Sequence, residues 1–149
     1  MPCVRIRDRD GDFLSFDLRD VLKNLESVGA AFQWYILNLE GQSFGNSGLS
    51  IKALEREISK SRNGTLVTWP QLTELASKLS QTSDCVIVGI AVGTEPPSLP
   101  IEEQYRGDKV IIAAFDSSYW TVCVPRPEIA RHLQSAFRDT EIVERIDVA

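Results

Sequence analysis

The single histidine, His132, stands one helical turn after Glu128, where the two can pair at i, i+4. An imidazole near neutral pH can act as a general base. It needs a nucleophile or a second acid beside it, and the sequence places neither there. The flank of a helix is the plainer reading. The three cysteines, Cys3, Cys85 and Cys123, form no CxxC pair, so neither a zinc knuckle nor a redox motif is indicated. Cys85 and Cys123 fall in apolar runs and read as small buried hydrophobes. With one histidine and no HExxH, a transition metal would depend on carboxylates for most of its ligands. The expectation is no metal and no cofactor.

Gly41, Gly45 and Gly48 lie between a strand-like and a helix-like segment, the right context for an anion at a helix start. Their spacing matches neither GxGxxG nor the P-loop, and Leu49-Ser50 stands where a lysine and hydroxyl belong. A plain loop fits better. Carboxylates number 21, but Glu102-Glu103, Glu55 and Glu57 form no calcium-loop pattern and read as a solvated set.

Two stretches suit contact rather than catalysis. In Asp116-Ser117-Ser118-Tyr119-Trp120, the first three residues have the chemistry of a type I turn. Tyr119 and Trp120 then point to opposite faces of a strand, one toward the core and the other toward the surface. Exposed Tyr and Trp dominate many binding interfaces. A serine nucleophile there has no GxSxG elbow. The second stretch, residues 94–108, carries Pro96, Pro97 and Pro100 and is too long for an ordinary connection. Its Glu102, Glu103 and Tyr105 could dock on a basic protein surface. The candidate contact residues are therefore Glu102, Glu103, Tyr105, Asp116, Tyr119 and Trp120, with no catalytic residue.

The elements that carry these residues follow from periodicity. Residues 3–16 read as a hairpin turning at Asp10-Gly11. Asp17 opens a helix with Leu18, Val21, Leu22 and Leu25 on one face, ended by Gly29. Residues 32–39 read as a strand covered on both sides. Ser50 caps a second helix that Asn63-Gly64 stops, residues 65–68 make a short strand, and Trp69-Pro70 begins a third helix. Residues 85–92 are apolar throughout, a central strand in which Gly89 marks a bulge or close packing. Residues 109–125, KVIIAAFDSSYWTVCVP, form a second hairpin. A helix from Arg126-Pro127-Glu128 and a mixed-face edge strand over 140–148 close the chain.

Hairpins beside single helices predict an α+β fold rather than a doubly wound one. The expectation is one domain over residues 1–149, with about four helices on a mainly antiparallel or mixed sheet of about 6–8 strands. A chain of this length can bury a full core. No apolar run is long enough to span a bilayer and the N-terminus is not a secretory signal, so the expectation is a cytoplasmic protein.

The net charge of −5 argues against direct binding of nucleic acid, which needs clustered Lys and Arg, and favours a basic partner or plain solubility. Size, acidity and the lack of a catalytic set together give the leading expectation, a non-catalytic protein-binding domain. In those general respects the chain resembles bacterial immunity proteins, which neutralise a toxin, often a basic nuclease. That resemblance covers no motif and assigns no residue. The alternatives are a small hydrolase or transferase using carboxylates and His132, or a structural subunit, such as a homodimer joined through the last strand.

Overall fold

The computed structural model describes residues 2–98 and 108–144. The fold is α+β. Seven strands form one wholly antiparallel sheet with helices packed on it. In chain order the elements are β1 (Cys3–Ile6), β2 (Arg9–Asp10), β3 (Phe13–Leu14), α1 (Leu18–Lys23), α2 (Glu26–Gly29), β4 (Gln33–Ser43) and α3 (Ile51–Lys60). There follow β5 (Thr65–Val67), α4 (Trp69–Lys78), β6 (Leu79–Ile90), β7 (Val110–Phe115), β8 (Tyr119–Cys123), α5 (Pro127–Ala136) and β9 (Thr140–Val143). The strand order is β5-β4-β6-β7-β8-β1-β9. The two longest strands, β4 and β6, therefore lie inside the sheet, and β9 lies at an edge as its mixed faces predict.

The sheet buries both of its faces in the middle. On one face Val4, Ile36, Ile87, Ile112, Trp120 and Val122 meet the apolar stripes of α1, α3, α4 and α5 in one cluster. The opposite alternation, with Tyr35, Leu37, Val86, Val88, Ile90 and Ile111, makes a second buried cluster, to which none of the described helices contributes. This explains why residues 85–90 are apolar throughout: in a strand covered on both sides, both alternations must be. Gly89 in β6 pairs with Trp34 in β4, and any side chain there would press on the Trp34 indole. Here the glycine marks close packing of a ring. The indole N–H of Trp34 donates to the Gly29 carbonyl at 2.8 Å, so this large core side chain is also satisfied as a donor.

Local rules explain the helix ends. Ser50 accepts from the Ala53 N–H at the start of α3. Thr68 and Gln71 form a reciprocal capping box at α4, with Pro70 in the first turn. The segment from Asp17 to Gly29, expected as one helix, is two. The Asn24 side chain donates to the Asp20 carbonyl at 2.8 Å and closes α1, and a new turn starts at Glu26.

Three further expectations need correction. The hairpin over 3–16 is confined to β2 and β3, which form a separate two-stranded sheet turning at Gly11-Asp12. Val4 and Ile6 belong to the main sheet instead, because β1 lies between β8 and β9, where both residues reach the core. The turn between β7 and β8 is not type I: Asp116 and Ser117 have φ of 49° and 55°. Such mirror-image turns match the right-handed twist of the strands they join. Finally, Cys123 is not a separate small hydrophobe but is joined to Cys3. The two sit opposite each other on β1 and β8, with Cα atoms 4.0 Å apart, and form a disulfide. Cys85 alone remains a free, buried thiol, and burial pushes its pKa well up. Residues 145–148 of the expected last strand lie outside the described residues.

Candidate functional site

At one end of the sheet, four segments distant in sequence come together. The β7–β8 turn is tied down by the start of β6. Asp84 accepts from the Asp116 N–H at 2.9 Å, and the Ser83 carbonyl accepts from the Ser117 N–H at 2.9 Å. The β2–β3 arm is held against this turn by Arg9, which donates to the Ser118 carbonyl at 3.2 Å and to the Asp12 carbonyl at 3.1 Å. The base of the arm is fixed by Asp8. This carboxylate is buried and accepts from the backbone N–H groups of Arg138 and Asp139 at 2.7–3.0 Å. A two-stranded arm has little stability of its own, so these ties are what position it.

The third wall is the start of α1. The Asp20 carboxylate accepts from the Asp17 N–H at 2.9 Å, which satisfies one of the donors a helix start leaves open. The Asp17 carboxylate turns to β6 and accepts from both the N–H and the hydroxyl of Thr82, each at 3.0 Å. Burial raises the Asp17 pKa above its ordinary value of 3.8. The Thr82 hydroxyl and backbone bonds oppose that rise, and the neighbouring charge of Asp20 adds to it.

Between these walls runs an open groove of about 690 Å³. Its lining includes the acidic residues Asp12, Asp17, Asp20 and Asp116 and the basic residues Arg9 and Arg19. Phe13, from the arm, and Phe44, just after β4, also line it, and they are 69% and 42% exposed. Phe13 follows Gly11-Asp12 directly, and an apolar ring beside a polar turn is the one sequence signal that marks it.

Comparison with protein-family models, with curated proteins and with solved structures returns no match.

The residues singled out from sequence divide. Asp116 is exposed at the turn and lines the groove. Trp120 is not a contact residue: it is fully buried on the helix-covered face, 6.2 Å from Phe16 between ring centroids. Tyr119, on the other alternation, is partly exposed. It stacks on Phe115 at 5.4 Å and lies under the guanidinium of Arg5 at 4.4 Å and, more distantly, that of Arg7. Arg7 in turn pairs with Glu141 at 2.6 Å. The predicted division of Tyr119 and Trp120 between surface and core is what the strand shows. Glu102, Glu103 and Tyr105 lie outside the described residues.

His132 and Glu128 are both exposed on α5, and neither lines the groove. Gly41 is not part of a loop but a residue of β4. Among the described residues, no group of three His, Cys, Asp or Glu side chains could hold a metal ion. No described helix is long and apolar enough to cross a membrane.

Proposed function

We propose that this chain is a non-catalytic protein-binding domain of the immunity type, which neutralises a basic toxin by covering it with the groove end of its sheet. One observation carries this reading: two exposed phenylalanines lie in a groove lined by four aspartates. Exposed aromatic rings beside a polar rim favour burial against a partner. Surplus negative charge speeds association with a basic surface and disfavours acidic ones. The net charge of −5 acts in the same direction over longer range.

The hydrolase or transferase reading needs His132 in a pocket with two carboxylates, and its exposed place on α5 gives that reading no support. A homodimer through β9 has only the edge position of that strand in its favour. The cytoplasmic placement expected from the sequence stands against the Cys3–Cys123 disulfide, because such bonds persist mainly in oxidising compartments. Alkylating the protein in intact source cells before lysis, then weighing it, decides between the two.

The binding reading is tested by photocrosslinking in the source cells. A benzophenone side chain replaces Phe13, Phe44 or, as a control, Arg131 on the exposed flank of α5. The expected result is one basic protein joined at positions 13 and 44 and not at 131, whose nuclease or other toxic activity the purified chain suppresses. Recovery of chaperones alone, equally from all three positions, would sink the reading.

A further inference from the structure

Resting on that reading, we propose that the groove receives a lysine or arginine side chain from a basic segment of the partner protein. Its aliphatic stem lies along Phe13 and Phe44, and its charge sits among Asp17, Asp20 and Asp116.

The lining residues include four aspartates against two arginines. One of those two, Arg9, is already directed at the Ser118 and Asp12 carbonyls, where it ties the arm to the turn. The groove thus presents a surplus of negative charge and excludes anionic side chains. Asp17 stands at its wall with both oxygens engaged by Thr82, and the carboxylates of Asp12 and Asp116 make no hydrogen bond or ion pair among the described residues. A cation placed there compensates a carboxylate that burial otherwise disfavours as an anion.

The aromatic rings answer the other half of the ligand. Lysine and arginine carry apolar stems that pack on hydrophobic surface while the head stays polar. An arginine or ammonium head over a ring face is also attracted to it. The volume of about 690 Å³ lies within the roughly 300–1,000 Å³ of typical ligand clefts.

The test uses short blocked peptides that alternate glycine with arginine, with lysine or, as the neutral isostere of arginine, with citrulline. Amide shifts and fluorescence anisotropy are followed at low salt. The arginine and lysine peptides should shift the amides of residues 12–20, Thr82 and 116–118, with the citrulline peptide binding at least about tenfold more weakly. Combining Asp20→Asn with Asp116→Asn should weaken the cationic peptides by a similar factor while keeping the Asp17 N–H acceptor. Phe13→Ala, at a 69% exposed position that the fold does not need, should weaken them severalfold. Equal binding by wild type and variants, or shifts spread over surfaces outside the groove such as α3 and α5, overturns the proposal. If the peptides fail while position 13 still crosslinks a basic partner, the cation site is wrong and the binding reading stands. If position 13 crosslinks nothing, the reading itself falls.

Discussion

The carboxylate of Asp17, at the start of α1, grips Thr82 on β6 through both the backbone N–H and the hydroxyl, across 65 positions of sequence. This contact joins the helix layer to the sheet beside the groove. Thr82 is 2% exposed, so water cannot readily replace the acceptor. Truncation by Asp17→Ala should cost about 1–3 kcal/mol, the penalty of leaving a buried donor unsatisfied. Urea melts measure it.

The same residue sets a pH dependence. Its carboxyl is raised in the fold from 3.8, mainly by burial, so ionising it costs more in the folded than in the unfolded chain. The contribution of Asp17 to stability is therefore fullest below pH 3.8. It falls as pH rises through the higher folded value and then stays level. Asp17→Asn keeps one acceptor and removes the titration. The stability of wild type minus that of Asp17→Asn should decline from pH 3 toward neutrality. A difference that is flat or rises with pH would refute the assignment.

Neighbouring residues 119 and 120 should respond very differently to truncation. Trp120 is fully buried, and Trp120→Ala should cost about 3–5 kcal/mol. Its indole N–H is buried with no hydrogen-bond partner among the described residues, so Trp120→Phe should recover part of that loss. Tyr119→Ala forfeits a ring stack and cation–π contacts and should cost about 1–2 kcal/mol. Denaturant midpoints of the three variants rank them.

These two residues also show how far the sequence can be read. Strand alternation separates Tyr119 from Trp120 but does not say which face the helices cover, because both alternations of the neighbouring strands are apolar. The apolar centres of β4 and β6 and the β7–β8 hairpin follow from runs of adjacent residues. However, β4 continues to Ser43 and β6 already begins at Leu79, where the residues are largely polar and no such run marks the pairing. The place of β1 depends on pairing with β8 and β9, more than a hundred residues away, and nothing local encodes it. The Cys3–Cys123 bond is hidden for the same reason, since it is a consequence of that pairing. The groove draws on the β2–β3 arm, α1, β6 and the β7–β8 turn. Of the described contact residues singled out from sequence, Asp116 alone belongs to its lining, and turn chemistry is what marks it.

The β7–β8 turn offers a stabilising change. Ser117 holds a left-handed backbone that costs an L-residue about 1–2 kcal/mol, whereas glycine adopts it freely. Aspartate followed by glycine is also a favoured pair for a mirror-image hairpin turn. Ser117→Gly should raise stability by about 0.5–1 kcal/mol, the gain being reduced by the greater freedom of glycine in the unfolded chain. Thermal unfolding should show a higher midpoint, and a lower one would contradict the turn geometry.

The cysteines allow a direct count. In denaturant without reductant, a thiol reagent should find one group, Cys85, and after reduction three. In the folded protein Cys85 should stay silent, because it is buried and its thiol resists ionisation. Cys123→Ser should lower stability by about 4–5 kcal/mol on the chain-entropy model for a loop of this length. Three reactive thiols before reduction would remove the bond.

The bond between Cys3 and Cys123 turns most of the polypeptide into a covalent ring. A protease that cuts once within the ring, for example in the exposed turn at Val92-Gly93, produces a nick without releasing a fragment. The two pieces should separate on a gel only after reduction. Helix α5 and strand β9 lie beyond the ring as a tail, held without a covalent tie by Asp8, by the Arg7–Glu141 ion pair, by pairing with β1 and by packing. A single cut after Cys123 can therefore detach an edge of the sheet outright, whereas a cut almost anywhere before it cannot.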